Sequence, residues 1–187
     1  GPAGLETARV AGLKGHTVDL YEAEDRVGGV LLPAATPIFK RELHRMIDWW
    51  EGQLADLPVR VHLNHRVEAD DSVLEGAEAI IVATGSTPFV PASIPGIDGP
   101  DVVSVIEAHE GAPLGQTVAV AGGGLSGADL ALELAQAGKD VSIIEMKDEI
   151  AEDMILINRI TLLRDLAQVG VRLYTKTSVT AVDATGV

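Results

Sequence analysis

The sequence contains no cysteine, few aromatic residues and far fewer basic than acidic residues. Without cysteine the chain has no disulfide redox pair, no thiolate nucleophile and no thiolate ligand for an iron–sulfur cluster. Aromatic residues make up 3% of the chain, which argues against a stacking surface for single-stranded nucleic acid. The formal net charge of −14 disfavours nucleic acid and anionic membranes as partners, because both repel an acidic surface.

Long apolar runs are absent too, and none approaches the ~20 residues that a membrane-spanning helix needs. We therefore expect no membrane segment and a cytoplasmic location. Apolar residues make up 47% and charged residues 22% of the chain, a composition typical of a globular protein. No metal site is expected, because His62 and His65 lie three residues apart with no third ligand in view.

The most informative stretch runs from residue 117 to residue 145. Val118–Ala121 is apolar and typical of a buried parallel strand. A G-x-G-x-x-G turn follows, then a helical pattern that Gly138 ends, and then a second strand that ends on Glu145. The predicted buried stripe of the helix comprises Leu125, Leu130, Leu132, Leu134 and Ala135. This order of elements is typical of a dinucleotide-binding unit.

The residue types in this turn suit a pyrophosphate. Gly122 permits the tight turn, Gly124 lets the backbone approach the ligand, and Gly127 permits close packing of helix on strand. The pyrophosphate is expected on free N–H groups at the helix N-terminus, helped by the helix dipole. The predicted cofactor-binding residues of this unit are Gly122, Gly123, Gly124, Leu125, Ser126, Gly127 and Glu145.

Glu145 is predicted to accept hydrogen bonds from a ribose diol. Its carboxylate would repel a 2′-phosphate, which favours NADH over NADPH, although Lys147 nearby would weaken that preference. Ser126 has no histidine or aspartate pattern around it that would make it a nucleophile, so its hydroxyl is expected to help bind phosphate.

A second copy of the pattern opens the chain. Four residues recur at a constant offset of 123: Gly1, Gly4, Gly15 and Glu22 correspond to Gly124, Gly127, Gly138 and Glu145. This internal repeat predicts a second nucleotide-binding unit. In it, Gly1 takes the place of the second glycine of the motif. We therefore expect the first glycine and its strand to precede residue 1, and further strands to follow residue 187, so that the chain is a fragment.

The remaining patterns predict an α/β chain with a domain over residues 1–112 and another over residues 113–187. Further helices are expected at residues 40–57, 106–110 and 155–169, with a loop at 31–38. Strands are expected at residues 59–63, 66–68, 79–83, 102–103, 171–174 and 179–182. Trp49 and Trp50 are expected to pack in the first domain, and Asp70–Asp71 to cap a helical turn.

Three stretches carry a family resemblance: GPAGLETARVAGLKGHTVDLYEAEDRVGG, IIVATGSTP, and IIEMKDEIAEDM followed by INRITLLRDL. They resemble the C-terminal half of the 2,4-dienoyl-CoA reductase/NADH:flavin oxidoreductase family, whose relatives include old yellow enzyme-like proteins and trimethylamine dehydrogenase. The resemblance implies two Rossmann-like, glutathione reductase-like parallel-sheet units, both truncated here. Where disulfide reductases of this class carry a cysteine pair, this chain has Val30-Leu31-Leu32.

The resemblance also implies cofactors and partners. The first domain would bind FAD and the second NAD(P)H, and hydride would pass from NAD(P)H to FAD. An upstream barrel of the same polypeptide, carrying FMN and an iron–sulfur cluster, would then reduce an enone or enoyl-type substrate. The implied FAD-binding residues are Gly1, Pro2, Ala3, Gly4, Glu22, Arg26, Gly28, Gly29, Val67, Ala83, Thr84 and Gly85. Hydride transfer needs no side-chain acid or base, so no catalytic side chain is nominated.

Two alternatives stay open at this point. A glutamate synthase small-subunit or ferredoxin reductase-type flavoprotein has the same two-unit layout. A non-catalytic module that binds ADP or another nucleotide would also carry the glycine-rich turns.

Overall fold

The computed structural model describes residues 1–187, and the chain divides into two compact units, Gly1–Thr87 and Pro88–Val187. Both units consist of parallel strands with helices on them, which confirms the predicted α/β class. No helix is long and apolar enough to cross a membrane.

The first unit alternates helices and strands. Its elements are α1 (Pro2–Leu13), β1 (Val18–Tyr21), α2 (Leu31–Ala34), a 3₁₀ turn (Arg41–Leu43), α3 (His44–Ala55), β2 (Val59–His62) and a second 3₁₀ turn (Ser72–Leu74). The two strands pair in parallel, with Val18 opposite Val59. Asp71 caps the second 3₁₀ turn by accepting a hydrogen bond from the Val73 N–H, as the sequence predicts.

The core of the first unit lies where α1 and α3 meet the sheet. Its buried residues are Leu5, Ala8, Val27, Ile47, Trp50 and Leu54. Trp50 is 7% exposed, and its indole N–H donates to Glu6 at 2.9 Å. Trp49 is 48% exposed and lies under the guanidinium of Arg9, 5.2 Å from the ring centroid. Only Trp50 is therefore a core residue.

The second unit contains a sheet of three parallel strands in the order β3-β4-β5. Its elements are α4 (Val105–His109), β3 (Thr117–Ala121), α5 (Leu125–Gln136), β4 (Asp140–Ile144), α6 (Leu156–Gln168) and β5 (Arg172–Tyr174). Helix α5 is the centre of the core, because seven of its residues are buried: Gly127, Ala128, Asp129, Leu130, Ala131, Leu132 and Leu134. The left-handed conformation of Gly138, with φ +88°, ends this helix before β4 begins.

Four predicted strands are not formed, at residues 66–68, 79–83, 102–103 and 179–182. A strand requires a hydrogen-bonded neighbour, and a run of apolar residues alone does not supply one. The clearest case is Ile80–Val82, whose side chains are exposed and whose backbone pairs with no strand of residues 1–187. Two smaller corrections are the short helix α2 in a predicted loop and the 3₁₀ start of the helix expected from residue 40.

The compact units divide at Thr87 and Pro88, whereas the sequence places a domain boundary after residue 112. Helix α4 lies in the second unit, where Val105 and Ala108 pack against its core. His109 of α4 also contacts Glu133 of α5 at 2.7 Å. The assignment of residues 1–112 and 113–187 to separate cofactors therefore stays a prediction, while the packing boundary lies earlier.

Candidate dinucleotide-binding site

The turn between β3 and α5 depends on the backbone geometry of one glycine and the close packing of another. Gly122 has φ +106°, a conformation that side chains rarely adopt, and its N–H donates to the Ile144 carbonyl at 2.8 Å. Gly127 packs so closely that an added Cβ would overlap the Gly122 carbonyl oxygen and lie 3.2 Å from Val120 Cγ1. Helix α5 therefore starts directly against the end of β3, as the motif predicts.

Gly124 differs from Gly123 and Gly127 because an added Cβ would meet nothing within 4 Å. It is the N-cap of α5, with no side-chain capping bond. The first helical hydrogen bond runs from the Ala128 N–H to the Gly124 carbonyl at 2.9 Å. The N–H groups of Leu125, Ser126 and Gly127 precede that bond and have no intrahelical acceptor. Open space and available N–H groups suit an anion at this helix N-terminus.

Leu125 is 43% exposed, so it does not belong to the buried stripe that the sequence predicts for this helix. The other leucines of the stripe, Leu130, Leu132 and Leu134, are buried. Leu125 occupies the first helical position and is not among the buried residues of α5.

Glu145 joins the end of β4 to the glycine turn. Its Oε2 accepts from the Gly123 N–H at 2.7 Å, and its Oε1 accepts from the Lys147 N–H at 2.8 Å. The residue is 8% exposed. A carboxylate offers about four lone-pair positions, so these two bonds leave acceptor capacity for a diol. The sequence pattern predicts a ribose-binding acid at this position, but it does not predict the hydrogen bond to Gly123.

The loop after β4 closes over the turn, which sequence reasoning missed. The Ala151 N–H donates to the Gly123 carbonyl at 2.7 Å, and the Ile150 side chain lies where a Cβ on Gly123 would stand. Both Ile150 and Ala151 are buried. An acidic stretch is typical of a solvated loop. The apolar pair Ile150–Ala151 within it was the one sequence feature that indicated burial.

The cations of this region are paired with carboxylates of the same loop. Lys147 Nζ lies 2.9 Å from Glu152 Oε2, and Lys176 Nζ lies 3.2 Å from Asp148 Oδ2. The hydrogen bond that Lys147 donates to Glu152 raises the pKa of Lys147, and the same bond lowers the pKa of Glu152. Lys147 is therefore held in its charged form and already has a partner.

The start of the first unit repeats this geometry. Helix α1 and helix α5 each span twelve residues at the predicted offset. The Leu5 N–H donates to the Gly1 carbonyl at 3.0 Å, as Ala128 does to Gly124. Glu22 matches Glu145, because its Oε1 accepts from the N–H two residues on, at 3.2 Å, and its Oε2 lies 3.4 Å from the Gly1 amino nitrogen.

The repeat extends into the third segment of each unit, where no sequence pattern indicated it. The Glu22 N–H donates to the His62 carbonyl at 2.9 Å, and the Glu145 N–H donates to the Tyr174 carbonyl at 2.8 Å. Shortly after these strands Asn64 and Lys176 adopt left-handed φ values of 56° and 52°. The two units therefore share an α-β-α-β plan, α1-β1-α3-β2 in the first and α5-β4-α6-β5 in the second, with matching backbone hydrogen bonds.

The structure brings together some of the residues implied for FAD. A Cβ on Gly29 would lie 2.8 Å from the Gly1 Cα, and a Cβ on Gly4 would lie 3.5 Å from that of Ala83. Gly28 and Gly29 have positive φ values of 126° and 53°. The Gly-Gly pair and Ala83 thus pack against the start of α1.

The other implied residues lie further out or contribute less. Pro2 and Ala3 form the first turn of α1, where Pro2 offers no N–H to an anion. Arg26, Thr84 and Gly85 are exposed and Val67 is half-buried, and no backbone hydrogen bond joins them to the turn.

His62 and His65 are part of a small aromatic cluster in the first unit. His62 stacks on Tyr21 with ring centroids 4.6 Å apart and contacts Asp19 at 2.8 Å. His65 approaches the edge of the same ring at 5.0 Å and contacts Asp71 at 2.9 Å. Each histidine thus has its own carboxylate partner.

Comparison with known proteins identifies the family. The model for pyridine nucleotide-disulphide oxidoreductases matches residues 1–187. The chain belongs to this family. This membership confirms the resemblance to two-dinucleotide-binding flavoproteins. The family name refers to a disulphide, but this member contains no cysteine.

Relatives of this oxidoreductase chain are much longer than it is. Bilirubin reductase from Mediterraneibacter gnavus is 36% identical over 192 residues, which cover 100% of this chain and 29% of that protein. Cinnamate reductase from Clostridium sporogenes is 38% identical over 154 residues, covering 81% and 23% respectively. A 2-naphthoyl-CoA reductase structure superposes with a TM-score of 0.93 at 28% identity, covering 100% and 28%. The chain therefore spans less than a third of the length of these relatives.

Proposed function

We propose that the chain supplies the FAD- and NAD(P)H-binding part of a flavin-dependent oxidoreductase in which hydride passes from NAD(P)H to FAD. The observation that supports this most strongly is the open N-terminus of α5 beside Glu145. It combines N–H groups without intrahelical acceptors, open space at Gly124 and a carboxylate with remaining acceptor capacity.

In this proposal the second unit binds NAD(P)H. The pyrophosphate lies on the N–H groups of Leu125, Ser126 and Gly127, and Glu145 accepts from the adenosine ribose diol. Backbone N–H groups and the helix dipole supply the attraction, which suits a chain whose net charge is −14. NADH is favoured, because Glu145 repels a 2′-phosphate and Lys147 is engaged by Glu152.

The first unit binds FAD in the same way, with α1 as the phosphate helix and Glu22 as the ribose acceptor. Gly28, Gly29 and Ala83 pack beside the start of α1. The flavin and the nicotinamide carry out hydride transfer themselves when bound, and the protein supplies position and electrostatics. No side chain of this chain is required as an acid or a base.

The wider protein is proposed from its relatives. The names of the similar proteins, bilirubin reductase, cinnamate reductase and 2-naphthoyl-CoA reductase, describe enzymes that reduce unsaturated substrates. We propose that an upstream barrel of the same polypeptide, carrying FMN and an iron–sulfur cluster, receives the electrons and reduces an enone or enoyl-type substrate. The complete protein would act in the cytoplasm.

Reconstitution of the chain with FAD tests the proposal. After removal of free flavin, a retained yellow chromophore that NADH bleaches under anaerobic conditions is the expected result. The variant Glu22→Ala should retain less flavin, because it loses the ribose acceptor of the first unit. It serves as the matched control for Glu145→Ala, which loses the ribose acceptor of the second unit. Binding of ADP-ribose without any flavin would support a nucleotide-binding module instead, and binding of neither would refute both functions.

A further inference from the structure

Three cations are paired with carboxylates of the loop that follows β4. Lys147 is paired with Glu152 at 2.9 Å. Arg159 is paired with Glu149 at 2.7 Å, and Lys176 with Asp148 at 3.2 Å. The loop thus pairs its carboxylates with three cations, one of which, Lys147, lies two residues from Glu145.

Lys147 is the cation whose backbone is fixed beside that residue. Its N–H donates to Glu145 Oε1 at 2.8 Å, and its carbonyl accepts from the Lys176 N–H at 2.9 Å. Its side chain is 56% exposed and is directed to Glu152, which is 53% exposed. A lysine has a flexible four-carbon stem, so the same backbone position would let a released ammonium approach a phosphate on the ribose.

We propose that Glu152 is a specificity-determining residue, which holds the Lys147 ammonium away from the ribose 2′-position and so strengthens the preference for NADH. This inference rests on the proposed binding of NAD(P)H at Glu145. Glu152 acts by positioning Lys147. Glu145 sets the preference, and Glu152 prevents the neighbouring lysine from cancelling it.

The expected size of the effect follows from the exposure of the pair. Solvent-exposed ion pairs are weak, so releasing Lys147 should change NADPH affinity by about two- to five-fold. NADH lacks the 2′-phosphate, and its affinity should not change. Added salt should reduce the NADPH effect, because exposed charges are screened.

Isothermal titration of the 187-residue chain with NADH and with NADPH, at one low ionic strength, tests the inference. In Glu152→Gln the dissociation constant for NADPH should fall about two- to five-fold while that for NADH stays unchanged. The double variant Lys147→Met/Glu152→Gln should lose the gain. Glu149→Gln is the matched control, since it removes the same charge from the same loop but leaves the Lys147–Glu152 pair in place.

The outcomes separate this inference from the proposed function. If the wild type binds NADH but Glu152→Gln leaves NADPH affinity unchanged, the inference is wrong and the proposed function stands. An equal gain in Glu149→Gln would assign the effect to net charge, and a gain that persists in the double variant would assign it to loss of the Glu152 carboxylate alone. Either result would overturn the inference. A wild type that binds neither dinucleotide would overturn the proposed function, and the inference with it.

Discussion

Replacing two glycines of the same turn by alanine should separate packing from binding. Gly127→Ala places a methyl group onto the Gly122 carbonyl oxygen and 3.2 Å from Val120 Cγ1. Because the obstructing atom is backbone, it cannot rotate away, and α5 must shift on β3. Overpacking of this kind costs about 1–3 kcal/mol. In a chain of this size each kcal/mol lowers the melting temperature by about 2–4 °C.

Gly124→Ala should behave in the opposite way. Nothing lies within 4 Å of the added methyl group, and φ −68° with ψ −174° suits any residue. The expected stability cost is below about 1 kcal/mol and reflects only the weaker capping preference of alanine. The methyl group would nevertheless stand where the pyrophosphate approaches the backbone. We therefore expect Gly124→Ala to weaken NADH binding by about 1.4 kcal/mol or more, which is a tenfold or larger loss of affinity.

Thermal unfolding followed by far-UV circular dichroism, together with titration of NADH, gives both quantities. Circular dichroism is required because both tryptophans lie in the first unit and their fluorescence does not report on the turn. A Gly127→Ala variant as stable as the wild type would refute the packing role. A Gly124→Ala variant that binds NADH as tightly as the wild type would refute the binding role.

Three further predictions concern single side chains. Glu145→Arg should lower NADH affinity more than NADPH affinity, because it removes the ribose acceptor and adds a cation; an equal or smaller loss for NADH in titration would show that the ribose role is wrong. Trp50→Ala should destabilise the first unit by about 3–5 kcal/mol in urea unfolding, whereas the half-exposed Trp49→Ala should cost about 1 kcal/mol or less. Hydrogen bonds from Arg9 and Trp50 lower the pKa of Glu6 to about 2. Its contribution is therefore present above the ordinary carboxyl pKa of 4.5 and is lost as the pH falls towards 2. The melting-temperature difference between wild type and Glu6→Gln should shrink across that range, and a constant difference down to pH 2 would contradict this.

Local patterns predicted the glycine turns and their helices well. Gly122 and Gly127 lie a few residues apart, and local backbone geometry requires a glycine at each position. The sequence motif therefore contains most of the information needed to predict the turn. The repeat between the two units was visible for the same reason, since glycine and glutamate positions fix the start and end of each segment.

Features that depend on distant partners were not predictable. The apolar run at residues 79–83 matches a buried strand, yet no strand of residues 1–187 pairs with it. The bond from Gly123 to Glu145 and the burial of Ile150 depend on how the loop after β4 folds back. The pairing of Lys147 with Glu152 depends on side-chain placement that spacing alone does not determine.

Nuclear magnetic resonance of the 15N-labelled chain during titration with NADH tests the central claim most directly. We predict the largest chemical-shift changes at the amides of Leu125, Ser126 and Gly127, together with the Lys147 amide that is bonded to Glu145. Saturable changes confined to these residues would support NADH binding at the N-terminus of α5. Absence of saturable changes there, or changes confined to residues away from this turn, would contradict the account.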